Sequence, residues 1–205
     1  MVDIKIVITA NGEGSRMKAI SPIPKHLLYY GGKRIIDCII DAMQPFGEVH
    51  VFGAYPGSET ADNWMVCGPT GSRKEQLELL RNWKNVLIVD CDVIPVFDFK
   101  NDRLFCAAWA KGVVEKDTIW FFRSIEPKYG GLEMSETGTL EAAKERGKGH
   151  KYRASGLYFL KDVGATVDRM TDPNSIASGM IGAKMIFENT FIRVGDPEDY
   201  LNALK

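Results

Sequence analysis

Three short apolar runs constrain this chain more than any other feature. Ile4-Lys5-Ile6-Val7-Ile8, Val49-His50-Val51-Phe52 and Val86-Leu87-Ile88-Val89 are each about the length of a strand. A run that is apolar at successive rather than alternate positions needs cover on both faces, which is the pattern of a parallel sheet between helices. The intervening segments supply the helices. Ile36, Ile39, Ile40 and Met43 recur at helical spacing, and Gln44-Pro45-Phe46-Gly47 ends that helix. Ser72 is placed to cap a second helix over 73–83, with Leu77, Leu80 and Trp83 on one side. The order β-α-β-α-β predicts an α/β fold whose mostly parallel sheet is covered on both faces.

The second half is built differently. Segments 103–109 and 118–123 are strand-like, rich in aromatic and β-branched residues. Leu132-Glu133-Met134 followed by a Glu136-Thr137-Gly138 turn predicts a hairpin, and Gly147-Lys148-Gly149-His150 a mobile loop. Ser155-Gly156-Leu157-Tyr158-Phe159-Leu160 returns to the sheet. Two helices are expected over 163–170 and 175–187, the second with Ile176, Met180, Ala183 and Phe187 along one stripe. A last strand over 191–194 precedes a terminal helix opened by Asp196-Pro197-Glu198-Asp199. There is no internal repeat or linker, so one domain over 1–205 with a mixed sheet is expected.

Composition narrows the function classes. The chain's 205 residues, 45% hydrophobic and 26% charged, suffice for one substantial core. A net charge of -1 gives no general pull toward nucleic acid. Cys38, Cys67, Cys91 and Cys106 are widely spaced, and the three histidines have no zinc-type spacing, so reduced, buried thiols are expected. The N-terminal residues lack the features of a signal peptide, and no apolar run approaches the ~20 residues needed to cross a bilayer. The expectation is a soluble cytoplasmic protein with no membrane partner.

The first strand breaks into Ala10-Asn11-Gly12-Glu13-Gly14-Ser15-Arg16-Met17, with Pro24-Lys25 soon after. Glycines let a backbone turn its N–H groups toward a ligand, and the cations supply countercharge, so this loop suits a phosphate-bearing ligand. It is not a P-loop, because no glycine in it precedes a Lys-Ser/Thr pair. Nor is it a dinucleotide fingerprint, because the third glycine is missing.

The loop, with Pro24-Lys25-His26-Leu27-Leu28 and Gly31-Gly32-Lys33-Arg34-Ile35-Ile36-Asp37, resembles the signature of the sugar-phosphate nucleotidylyltransferases. That family joins a nucleoside triphosphate to a sugar 1-phosphate and releases pyrophosphate. The resemblance implies a Rossmann-like three-layer α/β/α sandwich, a nucleotide-binding half over 1–100 and a sugar-phosphate-binding half over 101–205. It implies that Arg16 grips the β and γ phosphates, that Lys25 lies between the α-phosphate and the acceptor phosphate, and that Asp92 holds Mg²⁺. Ala10, Asn11, Gly12, Gly14 and Ser15 would hold the nucleotide, and Gly68 and Ser72, with Arg73 as a further candidate, would lie near its base. Gly130, Glu145, Arg146 and Tyr158 resemble the sugar-phosphate segments. The family frequently forms oligomers, although no exposed apolar helix names an interface here.

Two departures stand beside the resemblance. In Asp90-Cys91-Asp92, a cysteine replaces the usual glycine before the metal aspartate, and Asp90 is a candidate supporting group. Arg193 stands where the family often has a second metal carboxylate. Either Asp196 takes over that role or it simply caps the helix that Pro197 begins. Three alternatives therefore remain open: a cytidylyltransferase for another phosphorylated substrate such as phosphocholine, a nucleotide-sugar glycosyltransferase using Asp90-x-Asp92, and a non-catalytic nucleotide-binding descendant.

Overall fold

The computed structural model describes residues 4–10, 15–53, 63–66, 70–96, 115–124, 130–144, 150–187 and 191–205. The expected strand over 103–109 and most of the loop over 147–150 lie outside these residues.

The three apolar runs become strands, as expected. β1 (Lys5–Ala10) runs parallel to β4 (Glu48–Gly53) on one side and to β6 (Lys84–Asp90) on the other. β5 (Trp64–Val66) continues the parallel set beyond β4. Between β1 and β4 lie the short β2 (Tyr29–Tyr30) and β3 (Lys33–Arg34), paired as a hairpin, and then α1 (Ile35–Met43). α2 (Arg73–Glu78) precedes β6, and β7 (Val93–Pro95) follows it.

β8 (Thr118–Arg123), β9 (Gly131–Met134) and β10 (Leu140–Lys144) lead to β11 (Tyr152–Asp162), the longest strand described. β11 pairs antiparallel with β6, so the second half of the chain adds directly to the parallel sheet of the first. It also pairs antiparallel with β8 and β9, and β9 with β10 in the expected hairpin. The sheet is therefore mixed: parallel around β1, antiparallel around β11.

Alternation along the strands sorts the core into two layers. Ile6, Ile8, Val51, Leu87, Val89, Leu157 and Phe159 pack with Ile35, Ile36, Ile39, Ile40 and Met43 of α1 on one face. Val7, Phe52, Val86, Ile88, Tyr158 and Leu160 pack with Leu77 of α2 and with Val163 and Val167 of α3 (Val163–Arg169) on the other. This is a three-layer α/β/α sandwich. Side-chain caps begin two of its helices: Ser72 Oγ accepts from Glu75 N at 3.2 Å, as expected, and Asp162 Oδ1, which was not expected, accepts from Ala165 N at 2.9 Å.

Two expected helices differ. α2 stops at Glu78 instead of reaching Trp83, because Leu80, Arg81 and Trp83 turn back to carbonyls three residues earlier and tighten the chain into β6. The segment 175–187 is not a helix. It forms a 3-10 turn (Ile176–Gly179) followed by β12 (Lys184–Phe187), which runs parallel to β8. Residues 176–180 are buried all round rather than along one stripe, and Gly182 takes a φ of 88° that ends any helical course. β13 (Phe191–Arg193) pairs antiparallel with β7, and α4 (Pro197–Ala203) closes the chain. No helix among the described residues is long and apolar enough to cross a membrane.

One buried polar side chain belongs to the α1 face. His26 is 3% exposed, its Nε2 has no hydrogen-bond partner, and its ring lies 6.2 Å from that of Trp64. Burial, helped by the charges of Lys25 and Arg34, pushes its pKa down to about 4.

Two outcomes follow for stability. Ile8→Ala, in the central strand, should lower unfolding free energy by about 2–5 kcal/mol in urea titrations, whereas Leu201→Ala at an exposed position should change it by less than about 0.5 kcal/mol. Because His26 is harder to protonate folded than unfolded, the stability it permits is present above its ordinary pKa of 6.5 and lost as pH falls toward 4. His26→Gln should therefore remove a fall of up to about 3 kcal/mol over that interval, read as the urea midpoint against pH.

Candidate active site

The carboxyl ends of β1 and β6 lie side by side, Thr9 opposite Asp90. Ligands of open α/β sheets bind at such ends. Beyond β6 the chain turns through Asp90-Cys91-Asp92 into β7, and the pairing of β7 with β13 brings Arg193 opposite Val93. Val194 N donates to Asp92 O at 2.9 Å, which fastens the end of the chain to this turn. Gly195 follows, and a Cβ there would stand 2.9 Å from Asp92 Oδ2. On the other flank β11 bulges between Ala154 and Tyr158, where Gly156, with a φ of 94°, packs against Asp90.

Each carboxylate has its own cation. Lys25 Nζ, on a 3-10 turn (Lys25–Leu27), donates to Asp92 Oδ2 at 3.1 Å. Arg73, the first residue of α2, pairs through Nη2 with Asp90 Oδ2 at 2.9 Å and donates from Nη1 to Thr9 Oγ1 at 3.1 Å. Arg193 stacks 4.1 Å over the Phe122 ring, donates to Ala154 O at 2.9 Å, and contributes positive charge to both carboxylates.

The electrostatics differ across the turn. Burial alone would raise the Asp92 pKa, but Lys25, Arg73 and Arg193 hold it well below the usual carboxylate range. Asp90 goes the other way: burial and the charge of Asp92 push its pKa up against the pull of Arg73. Burial works against the Lys25 charge, yet Asp92 raises its pKa on balance. Burial raises the Cys91 thiol, which argues against a thiolate nucleophile there. Three cations thus face two carboxylates, leaving a floor suited to an anion.

The other expected site residues fall into four groups. Arg16 lies exposed on a 3-10 turn (Ser15–Ala19) at the end of the first loop, and Ala10 is the last, buried residue of β1. Ser72 caps α2, and Asp196 caps α4, its Oδ1 accepting from Asp199 N at 2.9 Å. Tyr158 is buried in the α2–α3 layer, with its hydroxyl pKa raised by burial, and the Gly130 carbonyl accepts from Ala154 N at 3.1 Å. Asn11, Gly12, Gly14, Gly68, Glu145 and Arg146 lie outside the described residues. Thr9 was not singled out in the sequence, although a hydroxyl ending an apolar strand is the signal that marks it.

No protein-family model matches this sequence, and no curated protein matches it. Solved structures do. The CTP:phosphocholine cytidylyltransferase LicC from Streptococcus pneumoniae has a TM-score of 0.74 at 14% identity, over 98% of this chain and 97% of that one. HddC from Yersinia pseudotuberculosis, complexed with GMP-PN, has a TM-score of 0.69 at 15% identity over 98% of each chain. A putative glucose-1-phosphate thymidylyltransferase from Bacillus anthracis has a TM-score of 0.67 at 13% identity, over 98% of this chain and 93% of that one. At these identities the likeness is one of architecture: the chain has the fold of these nucleotidyltransferase structures.

Proposed function

We propose that the protein is a nucleotidyltransferase that joins the nucleotidyl group of a nucleoside triphosphate to a phosphorylated acceptor, foremost a sugar 1-phosphate. The observation that carries the reading is the Lys25–Asp92 pair at the carboxyl ends of β1 and β6, in a chain whose sequence has the Gly-x-Gly-Ser-Arg pattern after β1. In the reaction an acceptor phosphate oxygen forms a bond to the α-phosphorus as the bond from that phosphorus to the bridging oxygen breaks. Pyrophosphate leaves with the bonding electrons. The acceptor is already anionic, so the protein's task is positioning and charge neutralisation rather than proton removal.

The residues divide that task. Lys25 screens the α-phosphate and the acceptor phosphate from one another as they approach. Arg16, exposed where the first loop ends, draws the β and γ phosphates away from the acceptor and stabilises the departing pyrophosphate. Asp92 presents hard carboxylate oxygens of the kind that hold Mg²⁺, which would supply further neutralisation of the triphosphate. Among the described residues no three His, Cys, Asp or Glu side chains cluster as a metal site, and Asp92 is the carboxylate that would hold the ion. The cap made by Asp196 favours leaving it out of that set. The Gly-Ser-Arg and Pro-Lys pattern of the sequence, with Arg16 and Lys25 available to grip a triphosphate, favours transfer of a nucleotidyl group over transfer of a sugar from a diphosphate donor.

The test is a matrix of four nucleoside triphosphates, Mg²⁺, and acceptors that include several sugar 1-phosphates and phosphocholine, read as pyrophosphate released. At least one pair should turn over, and Arg16→Ala should lower kcat/KM by about 10²–10³-fold with the melting temperature unchanged, whereas Lys25→Ala should lower kcat/KM as much and also lower the melting temperature, because it leaves Asp92 without its cation. Measurable triphosphate binding with no pyrophosphate from any pair would support the non-catalytic alternative instead.

A further inference from the structure

Two carboxylates two residues apart at a phosphate site need not do the same work, and their surroundings here are unlike. Asp90 is spent on the protein. Its Oδ1 accepts from Thr9 Oγ1 at 3.4 Å and its Oδ2 pairs with Arg73 Nη2 at 2.9 Å. β11 closes the remaining side, since a Cβ on Gly156 would stand 3.2 Å from the Asp90 Cβ. The side chain of Asp90 is 10% exposed against 20% for Asp92, whose Oδ2 meets Lys25.

We propose that Arg73 is a positioning residue that withdraws Asp90 from the cleft, leaving Asp92 as the one carboxylate of the pair that meets incoming phosphate groups. The proposal rests on the nucleotidyl-transfer reading above and deepens it. Arg73 is well placed for the task because it is itself fixed. It begins α2, whose end is held by the Ser72 cap, and its Nη1 donates to Thr9 Oγ1 at 3.1 Å and Gln76 Oε1 at 2.9 Å. A guanidinium can hold two acceptors in one plane, which an ammonium cannot. The network therefore ties α2, β1 and β6 to one another at the point where the sheet ends.

The physical reason for such a device is competition for Lys25. Two unneutralised carboxylates in a poorly solvated cleft repel one another and both attract the nearest ammonium. With Asp90 matched by Arg73, Lys25 is left to Asp92 and to the phosphate that displaces or joins it. Without Arg73, Lys25 would be drawn toward Asp90, away from the line between donor and acceptor.

Steady-state kinetics of four variants, below their melting temperatures, test this. Arg73→Gln should lower kcat about 30-fold while the KM for triphosphate changes less than about threefold. Adding Asp90→Asn should restore kcat at least tenfold, because the charge that Arg73 neutralised is gone, whereas Asp92→Asn should not be rescued. Should Arg73→Gln fail to fold, Arg73→Lys takes its place, with a kcat loss of about tenfold. A raised KM with no rescue would overturn the proposal in favour of direct nucleotide contact by Arg73, and an unchanged kcat would leave only a structural role and overturn it as well. A readout free of turnover separates this from the reaction reading. Mn²⁺ binding is followed by its EPR signal in the presence of α,β-methylene nucleoside triphosphates. The Arg73→Gln/Asp90→Asn double variant should keep the ion and Asp92→Asn should lose it. The same result in both variants would overturn the division of the carboxylates even in a protein that releases no pyrophosphate.

Discussion

The ion pairs at the end of β6 are the constraint on which the rest of the site depends. Placing Asp90 and Asp92 side by side, where the strands run out and water is scarce, would cost several kcal/mol per uncompensated charge. Lys25 at 3.1 Å and Arg73 at 2.9 Å make the arrangement tenable. Those cations and Arg193 come from different parts of the chain, so three separate segments meet at the turn. The turn after Pro24 has to reach Asp92, the first residue of α2 has to reach Asp90, and β13 has to return beside β7.

The scaffold makes this possible through the alternation of its strands. Odd and even positions of β1, β4, β6 and β11 feed two apolar layers, each closed by helices, so nearly every side chain in the middle of the sheet is committed to packing. Polar chemistry is left to the strand ends. Thr9 and Asp90 sit where that commitment stops, and the antiparallel entry of β11 beside β6 brings Gly156 close enough to confine Asp90. The bulge in β11 permits that approach.

Much of this was legible because it is local. Continuous apolar runs require double-sided burial, a helical repeat such as Ile36, Ile39, Ile40 and Met43 buries one face, and Ser72 and Asp196 cap the helices that follow them. The loop pattern ending in Arg16, with Lys25 nine residues on, is likewise local, and the proposed phosphate site rests on it. What was not legible is set by long-range geometry. The segment ending in Phe187 carries a plausible helical stripe, but burial on every side and Gly182 commit it to a turn and a strand beside β8. From the sequence Arg73 is a candidate for the nucleotide base at a helix start, and only the neighbouring strands show that it is the counterion of Asp90. The substitution of Arg193 for a carboxylate was visible in the sequence, whereas its stacking on Phe122 and its hydrogen bond to Ala154 depend on β13 returning to β7.

The most direct test of the account is a crystal structure with an α,β-methylene nucleoside triphosphate and Mn²⁺. The account predicts a triphosphate that follows the loop from Ala10 to Arg16 and reaches Lys25, with an anomalous Mn²⁺ peak about 2.0–2.2 Å from an Asp92 carboxylate oxygen. A nucleotide bound away from the carboxyl ends of β1 and β6, or a metal peak on Asp90 with none on Asp92, would contradict it.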